Sequence, residues 1–412
     1  VFDPACAALL VPAAGTAGDM AKLVPSYEYQ RRCPNAQNLI AIVGDSNGDG
    51  VCDDKCNLQI EGTGQRPSDV LILGDRRKLN VIRADRADGI VLRNFTVQYS
   101  DFNNVYVIET NGFRLERIVS RWSREYGFLS FTSDHGLYNR VVAYGSGDSG
   151  VYTGSGPEGH CVRYGIEVRN VDSYGNSNGF SGTSGNGIWI HDSRFHNNGI
   201  GMSVDSAFAG HPGMPQDCSK WQRNRIYSNN ADVFSAKRDR FCRRPFLLRD
   251  PKVPCPVVII PIGTGILIAG GNDNLVRDNW IYDNWRNGVQ LFWVPSLARG
   301  EPDPAKAFDT SNGNRFLGNH MGTRPDGKRD RNGVDFWWDE EGRSNCWSGN
   351  RGAGGGSVTS NPASLPSCPG SSEFHSANTS KFAEIVACFT WDPLTNPDPA
   401  GCSWTVRPRP AR

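Results

Sequence analysis

The stretch GIWIHDSRFHNNG, from Gly187 to Gly199, alternates apolar and polar residues, bends, alternates again and ends on two asparagines. Ile188 and Ile190 fall on one side of its first short strand, and Phe195 lies in the second. Period-2 alternation over so few residues is typical of half-buried β-strands rather than helices. The same stretch also contains three polar residues close together, His191, Asp192 and His196, whose role is either catalytic or metal-binding on the one hand or structural on the other.

The same pattern recurs along the chain with a regular spacing. Gly89, Gly112 and Gly136 open successive copies about 23 residues apart, a period typical of solenoid repeats. Further copies are YGIEVRNVDSYGNSNG from Tyr164, WQRNRIYSNNADVF from Trp221 and DNLVRDNWIYDNWRNG from Asp273. No helical pattern separates these strands, which excludes leucine-rich and helical repeats. We predict an all-β fold, a three-sided parallel β-helix of about ten coils in which stacking supplies the core.

This fold gives a first interpretation of the opening stretch. Ile188, Ile190 and Phe195 would point into the coil, whereas the polar residues would fall at corners or on the outside. Asparagines at such corners tolerate the left-handed turn and can stack as ladders from coil to coil. We therefore interpret His191 and His196 as corner or outer residues rather than as a metal cluster.

The repeats resemble the right-handed parallel β-helix superfamily that includes pectate lyases, polygalacturonases and alginate epimerases. The resemblance covers about Leu58 to Gly352 and includes the segment LQIEGTGQRPSDVLILG that begins at Leu58. It implies a right-handed β-helix over residues 58–352. The superfamily contains lyases, hydrolases, epimerases and proteins without enzymatic activity, so the resemblance leaves the activity open.

Composition excludes several classes of function. The 44 lysines and arginines nearly balance the 43 aspartates and glutamates, so no global field favours nucleic acid or membrane surfaces. The most apolar stretch, Pro256–Gly271, is too short and too interrupted to span a bilayer. The 12 cysteines show no paired CxxC zinc spacing and predict a secreted, disulfide-bonded protein. A first residue other than methionine, Val1, is consistent with a removed signal peptide.

Residues 1–57 form a predicted N-terminal cap that contains the acidic loop GDSNGDGVCDDKC. Its alternating oxygen side chains followed by Gly50 match the start of an EF-hand loop, but Cys56 stands where the closing glutamate would be. The spacing resembles thrombospondin type 3 repeats. That resemblance implies a structural Ca²⁺ site with the ligands Asp45, Asn47, Asp49, Val51, Asp53 and Asp54. The alternative is a solvated acidic turn closed by Cys52 and Cys56.

Two further segments interrupt or end the repeats. Residues 235–262 carry a basic insertion in which Cys242 and Cys255 could close a loop. An anionic polymer is one candidate partner, through the substrate-binding residues Arg240, Arg243 and Arg244; a solvated loop that covers a flank is the alternative. The tail, residues 353–412, is predicted to cap the exposed edge at the end of the coils.

A catalytic site in a β-helix is built from residues of successive coils. Loops after Gly150 and Gly201 are predicted to project from one side and to form a cleft with the preceding coils. The candidate catalytic residues on this flank are Asp134, His135, His160, Asp205 and His211. We expect a histidine, with His135 as the first candidate, to act as general base. Asp134 would orient it or neutralise a substrate carboxylate.

Three polysaccharide chemistries suit this flank to different degrees. The signatures of polygalacturonases are not found together, and no matching arginine signature of pectate lyases is present. The SDHG segment at 133–136 resembles the Asp-x-His element of alginate epimerases, without the proline between the two residues. We expect a secreted protein that binds and modifies a polysaccharide, with a uronate polymer as the candidate, by C5 proton abstraction of the lyase or epimerase type. The alternative is a non-catalytic extracellular structural, filament or surface-binding protein capable of self-assembly.

Overall fold

In the computed structural model, residues 27–157, 159–213, 215–306, 311–389 and 402–410 are described, together with Cys6 and Leu9. The chain forms a parallel β-helix with three faces, which confirms the expected fold class. Face A, a sheet of eleven parallel strands, consists of Asn38–Val43, Asn80–Asp85, Asn103–Ile108, Tyr126–Phe131, Ser149–Gly154, Asn178–Thr183, Ile200–Asp205, Thr264–Ala269, Asn287–Phe292, Val334–Trp338 and Ser360–Asn361.

The other two faces share one continuous sheet, because two long strands bend from one face into the next. Face B contains Gln59–Glu61, the first halves of Val91–Gln98 and Asn111–Arg121, Asp134–Asn139, Ile166–Arg169, Ile188–His191, Lys220–Gln222, Leu275–Arg277, Arg315–Leu317 and Cys346–Ser348. Face C contains Leu71–Leu73, the second halves of the two long strands, Val142–Tyr144, Asp172–Tyr174, Arg194–His196, Arg225–Tyr227, Trp280–Tyr282 and His320–Met321. A small separate pair joins Gln216–Asp217 to Gly271–Asn272.

Helices are short and lie outside the coils. The α-helices in the described residues are Tyr27–Arg32, Pro34–Gln37, Ala236–Cys242, Ser296–Arg299 and Thr379–Phe389. The 3₁₀-helices are Pro67–Asp69, Phe246–Leu248, Pro304–Lys306 and Ala353–Gly355. Among the described helices, none has the length and apolarity needed to cross a membrane.

The core is a stack of identical positions from successive coils. On face A, Val105, Phe128 and Val151 are register partners and are all fully buried. In the opening stretch, Ile188 and Phe195 are also buried, as their alternation predicts. Each apolar side chain packs on the equivalent residue of the next coil, so the interior is a narrow column that no single coil could form alone.

Buried amide side chains form hydrogen-bonded ladders at the three corners of the coil. In each rung the Nδ2 or Nε2 atom donates to the side-chain oxygen of the next coil, over 2.9–3.2 Å. The three ladders are Asn176–Asn198–Asn229–Asn284–Asn332, Asn224–Asn279–Asn319–Asn350 and Gln216–Asn274–Asn314–Asn345. The same oxygens accept corner backbone N–H groups, so the ladders satisfy polar backbone that each bend would otherwise leave buried and unpaired.

All twelve cysteines are paired. The predicted bonds Cys52–Cys56 and Cys242–Cys255 are present. The remaining pairs are Cys6–Cys33, Cys161–Cys218, Cys346–Cys368 and Cys388–Cys402. Disulfides therefore lie in both terminal regions, and their number indicates that the chain folds in an oxidising compartment.

Both the tail and the basic insertion pack on the outside of the coils. The helix Thr379–Phe389 and Trp404 cover Phe292 on the outer side of face A, and the ring centroids of Phe292 and Phe389 lie 5.9 Å apart. The insertion reaches back towards the N-terminal coils, where the Arg76 guanidinium lies over the Phe246 ring at 4.5 Å and donates to the Arg249 carbonyl at 3.0 Å. The insertion thus covers a flank while its most basic part stays exposed.

The ladders make a testable prediction about stability. Asn198→Asp removes the donors to Asn229 and to the Ser173 carbonyl and places a charge in the ladder. We expect the free energy of unfolding to fall by about 2 kcal/mol or more, because buried acceptors lose their partners. The neighbouring exposed Asn197→Asp is the matched control and should change stability by less than about 0.5 kcal/mol. Equal denaturant midpoints for the two variants would show that the ladder does not stabilise the fold.

Candidate functional site

The outer surface of face A is buried along most of its length, unlike the outer surface of an ordinary exposed sheet. Two columns of side chains run along it. The first contains Arg83, Tyr106, Leu129, Tyr152, Ser181 and Ser203, and the second contains Asp85, Ile108, Phe131, Gly154, Thr183 and Asp205. The columns begin with the buried ion pair of Arg83 and Asp85, are largely apolar over the next two coils, and become polar from Tyr152 to Asp205, where a polar group collects.

Gly154 shapes the centre of this group. A Cβ atom at position 154 would lie 2.3 Å from the ring of Tyr152, so only glycine leaves room for the ring to fold across the strand end. In this position the Tyr152 hydroxyl lies beside Thr183 of the next coil. Burial raises the pKa of Tyr152, so the phenol keeps its proton at neutral pH.

Asp205 continues the same chain of polar contacts. Thr183 Oγ1 donates to Asp205 Oδ2 over 3.0 Å, and the backbone N–H of Ala207 donates to Oδ1 over 3.1 Å. Burial, helped by the nearby Asp148 carboxyl, raises the pKa of Asp205 to about 6 despite these donors. The carboxyl therefore exchanges its proton in a range where ordinary aspartates stay ionised.

His211 approaches the same strand end from the loop after face A. Its Nδ1 lies 3.1 Å from the Ser155 hydroxyl, and its ring packs edge-on against Phe131 at 5.7 Å. Lys306 Nζ donates to the His211 carbonyl over 2.9 Å. Burial, with a smaller effect from the Lys306 charge, lowers the pKa of His211 to about 4. The imidazole is therefore neutral at pH 7, and within the described chain Nε2 has no hydrogen-bond partner.

The loops that follow two strands of face A are tied together at this end. The disulfide Cys161–Cys218 joins the segment after Gly154 to the segment after Asp205. Asn186 Nδ2 donates to the Gly213 carbonyl over 3.3 Å, which holds the second loop against the turn between the strands. The loops therefore lie on one side, as the sequence predicts, and Tyr152, Thr183 and His211 are each no more than 6% exposed beneath them.

The other predicted catalytic residues lie at the corner between faces A and B. Asp134 accepts hydrogen bonds from both terminal nitrogens of Arg163, at 2.7 and 2.5 Å. Burial alone would raise the pKa of Asp134, but the contacts with Arg163 outweigh it and lower the pKa. His135 is largely exposed, and its Nδ1 lies 2.8 Å from Asn111 Oδ1. His160 is exposed in the first of the two loops. Asp205 and His211 thus both lie at the end of the face A strands, although no contact joins them in the described residues, and the other three residues lie apart from this strand end.

The predicted set misses Tyr152, Gly154, Ser155 and Thr183. A signal for them is present in the sequence: VYTGS at 151–155, FSGTS at 180–184 and MSVDS at 202–206 occupy equal positions in three face A strands. Stacking these segments in register would have placed the hydroxyls and the carboxyl in neighbouring rungs.

The histidines of the opening stretch are structural. His191 is buried, with Nδ1 2.6 Å from Asp192 Oδ2, Nε2 3.0 Å from Glu167 Oε1, and its ring stacked on Trp189 at 4.1 Å. His196 lies in an aromatic column on the outside of face C, whose centroids are 4.7–5.4 Å apart: Tyr144, Tyr174, His196, Tyr227 and Tyr282.

The predicted polymer-binding arginines lie on the outside of the insertion. Arg243 pairs with Asp239 over 2.8 Å one helical turn earlier, and Arg244 lies over the Phe241 ring at 5.5 Å. Arg240 is exposed and forms no ion pair with any described residue. Two of the three guanidiniums are therefore unpaired and accessible on this flank.

The acidic loop of the N-terminal cap folds around Asp45. Asp45 is fully buried and accepts the backbone N–H groups of Gly48 and Gly50, at 2.6 and 2.9 Å, together with Arg86 Nη1 at 3.0 Å. Asp53 Oδ1 accepts the N–H of Ser46 over 2.6 Å. Within the described ranges, no three acidic, histidine or cysteine side chains converge closely enough to hold a metal.

Comparison with known proteins identifies no family. No protein-family profile matches the chain, and no curated protein matches it. Among solved structures, the A-module of the Azotobacter vinelandii mannuronan C-5 epimerase AlgE4 is similar over 73% of this chain and 78% of its own, with 12% identity and a TM-score of 0.47. The Streptococcus pneumoniae surface adhesin PfbA is similar over 79% of this chain and 86% of its own, with 8% identity and a TM-score of 0.43.

A variant of the periplasmic alginate epimerase AlgG is similar over 68% of this chain and 64% of its own, with 12% identity and a TM-score of 0.40.

The buried imidazole predicts a specific pH dependence of stability. His211 has a lowered pKa in the folded chain, so it stabilises the fold above its ordinary pKa near ~6.5. That contribution is lost as the pH falls towards about 4, because the unfolded chain takes up a proton that the folded chain does not. In His211→Gln this loss should disappear, so the melting temperatures of variant and wild type should converge or cross between pH 7 and 4. A constant difference across that range would place His211 in contact with water.

Proposed function

We propose that the protein is a secreted β-helix that binds a uronate-containing polysaccharide and abstracts its C5 proton at the polar group on face A. One observation carries the proposal: a neutral imidazole, a protonated phenol and a carboxyl of raised pKa lie at the same end of neighbouring face A strands. These are the three groups that proton abstraction next to a carboxylate needs, namely a base, an acid and a group that neutralises the carboxylate.

His211 is the proposed general base. For Nε2 to act as the base, Nδ1 must carry the hydrogen of the neutral ring and donate it to the Ser155 hydroxyl, 3.1 Å away. This contact also fixes the orientation of the ring. Because its pKa is lowered to about 4 by burial, the ring does not need to lose a proton before it can act at neutral pH. We place the base here rather than at His135, because the exposed His135 is held by Asn111 away from the buried carboxyl.

Asp205 is the proposed partner of the substrate carboxylate. Its pKa is already raised to about 6 by burial, and an incoming carboxylate would raise it further because like charges disfavour each other. The pair would then share one proton, and Asp205 would donate a hydrogen bond to the uronate. That bond stabilises the negative charge that develops on the uronate when the C5 proton leaves.

Tyr152 is the proposed acid. Its hydroxyl retains the proton and lies beside Thr183. If that proton is delivered to C5 from the side opposite His211, the sugar is epimerised; if it passes to the leaving oxygen at C4, the chain is cleaved by β-elimination. The residues support both outcomes, and the product distinguishes them, because only elimination creates an unsaturated, ultraviolet-absorbing sugar.

The basic insertion, which packs at the opposite edge of face A, carries exposed cations that suit an acidic polymer. Arg240 and Arg244 are exposed on the insertion and would attract a polyanion at moderate ionic strength. Since Tyr152 and His211 are almost completely buried, a polymer reaches them only when the loop after Asp205 moves from the strand end. The disulfide Cys161–Cys218 limits that movement to the part of the loop before residue 218.

A calcium ion at the acidic loop is part of the proposal, in a structural role. The loop retains the oxygens of Asn47, Asp49 and Asp53 at its exposed rim, and the Val51 carbonyl is placed among them by sequence. Asp45 is the inner residue that closes the turn. A hard cation that takes six to eight oxygens would have to draw these side chains together and compete with Arg86 for Asp45, and Asp54, which pairs with Lys55, would contribute from the edge.

The catalytic assignment is tested by substitution. His211→Gln and Tyr152→Phe should each lower turnover of a uronate polymer by about a hundredfold or more, the usual effect of losing a general base or acid. Asp205→Asn should lower it mainly for the charged substrate. Turnover is followed by ultraviolet absorbance for elimination and by proton NMR of the sugar configuration for epimerisation.

His135→Gln serves as the matched control, because it removes an imidazole from the exposed corner and should leave turnover unchanged. Loss of activity in His135→Gln with full activity in His211→Gln would move the base to that corner. If the wild-type chain alters no uronate or neutral polysaccharide in a broad panel, the protein is a binding or structural module, as the alternative prediction holds.

The calcium proposal is tested by thermal unfolding. Asp49→Ala should lower the melting temperature in the presence of calcium and leave it unchanged in chelator. Asp326→Ala is the matched control, since Asp326 also accepts a backbone N–H two residues further on in an exposed turn. If the wild type has the same melting temperature with calcium and with chelator, the loop does not bind calcium.

A further inference from the structure

A second charged site lies on face C, away from the polar group on face A. A cavity of about 380 Å³ opens at the corner between faces B and C. Its charged lining consists of Asp172, Asp192, Arg194, Arg223 and Arg225. Three guanidiniums and two carboxylates give it a positive balance, although the whole chain is nearly neutral.

Both carboxylates in the cavity are already paired. Asp172 accepts Arg194 Nη2 over 2.6 Å and His196 Nε2 over 2.9 Å. Asp192 accepts both Arg223 nitrogens, at 2.9 and 2.7 Å, as well as His191 Nδ1. Arg225 is exposed and has no ion-pair or hydrogen-bond partner for its guanidinium among the described residues.

The strand register places this unpaired guanidinium beside a like charge. Arg194 and Arg225 are direct partners on adjacent parallel strands, so their side chains leave the same face roughly 4.8 Å apart. Like charges in this position destabilise a sheet unless an anion lies between them. The rung on the other side of Arg225 is Trp280, whose ring is partly exposed and stacks on His320 at 4.0 Å.

We infer that Arg194, Arg225 and Trp280 form a binding site for an acidic sugar of the polymer, separate from the site of proton abstraction. The carboxylate of the sugar would accept hydrogen bonds from Arg225 and share Arg194 with Asp172, because guanidiniums bind carboxylates through several N–H groups. The apolar side of the sugar ring would lie against Trp280, one rung further along. This inference rests on the proposed function only for the class of polymer and does not require turnover.

The site has a purpose that the buried group cannot serve. The exposed side chains of face C are accessible without any movement of a loop, whereas Tyr152 and His211 are covered. A polymer held on face C stays at high local concentration near face A, because the second contact becomes intramolecular. The expected result is stronger binding of long chains than of short ones.

Calorimetric titration of the full chain with acidic tetrasaccharides, oligogalacturonate and oligomannuronate, tests the site. Arg225→Gln should weaken binding at one site by about tenfold or more and reduce the salt dependence, since a hydrogen bond between charged groups is lost. Trp280→Phe should weaken it less. The matched control is Arg114→Gln, which removes an exposed and unpaired arginine from face B and should leave binding unchanged.

The outcomes separate this inference from the proposed function. If Arg225→Gln loses a binding site while no variant or wild type turns over the polymer, the face C site stands and the proposed chemistry is wrong. If turnover depends on His211 but Arg225→Gln binds like wild type, the inference is wrong and the chemistry stands. The inference is also overturned if neither acidic tetrasaccharide binds the wild-type chain. Equal binding of a neutral tetrasaccharide such as cellotetraose overturns it as well.

Discussion

An asparagine side chain offers a donor and an acceptor that can bridge the separation of neighbouring strands, roughly 4.8 Å. In this chain such side chains stack at three corners, and each one also binds the backbone of its bend. The arrangement fixes where the chain turns, and therefore which residues of a coil face inwards. In the N-terminal coils a shorter ladder, Asn38–Asn80–Asn103, joins the first residues of the face A strands. Hydroxyls take corner positions there, as where Ser123 and Ser146 lie 3.0 Å apart on adjacent coils. Every column on the outer faces, polar or aromatic, follows from the register that these corners maintain.

The register explains why chemistry collects at one place on face A. Gly154, Thr183 and Asp205 occupy equivalent positions in three successive coils and therefore lie in one line. Because Gly154 has no side chain, the Tyr152 ring can lie across that position. His211 cannot come from a strand, since its ring approaches from outside. It is delivered by a loop that a disulfide joins to the preceding coil. The strands thus position Tyr152 and Asp205, the proposed acid and carboxyl, whereas His211, the proposed base, lies in a loop.

The period of about 23 residues made the fold and its buried columns predictable, because short-range alternation and stacking are properties of the sequence itself. Ile188 and Phe195 point inwards as their spacing requires. The candidate site could be proposed from the sequence only in part. Asp205 and His211 stood out as ionisable residues, but Tyr152 and Gly154 acquire their importance only from the register of strands whose connections differ in length. Asp134 and His135 form a conspicuous pair in the sequence, yet Arg163, distant along the chain, decides the surroundings of Asp134.

The ladders also determine how the chain ages chemically. Asn198 and Asn332 are each followed by glycine, the neighbour that most readily allows a backbone nitrogen to attack the side-chain amide and release ammonia. In the folded coil the nitrogens of Gly199 and Gly333 donate to backbone carbonyls of the preceding coil, at 3.1 and 2.9 Å, and are held away from that reaction. Once the chain unfolds, the protection ends, and each asparagine converted to a carboxylate is a rung that cannot form again. A molecule that stays folded keeps its amides, whereas one that remains unfolded for long returns to a less stable fold.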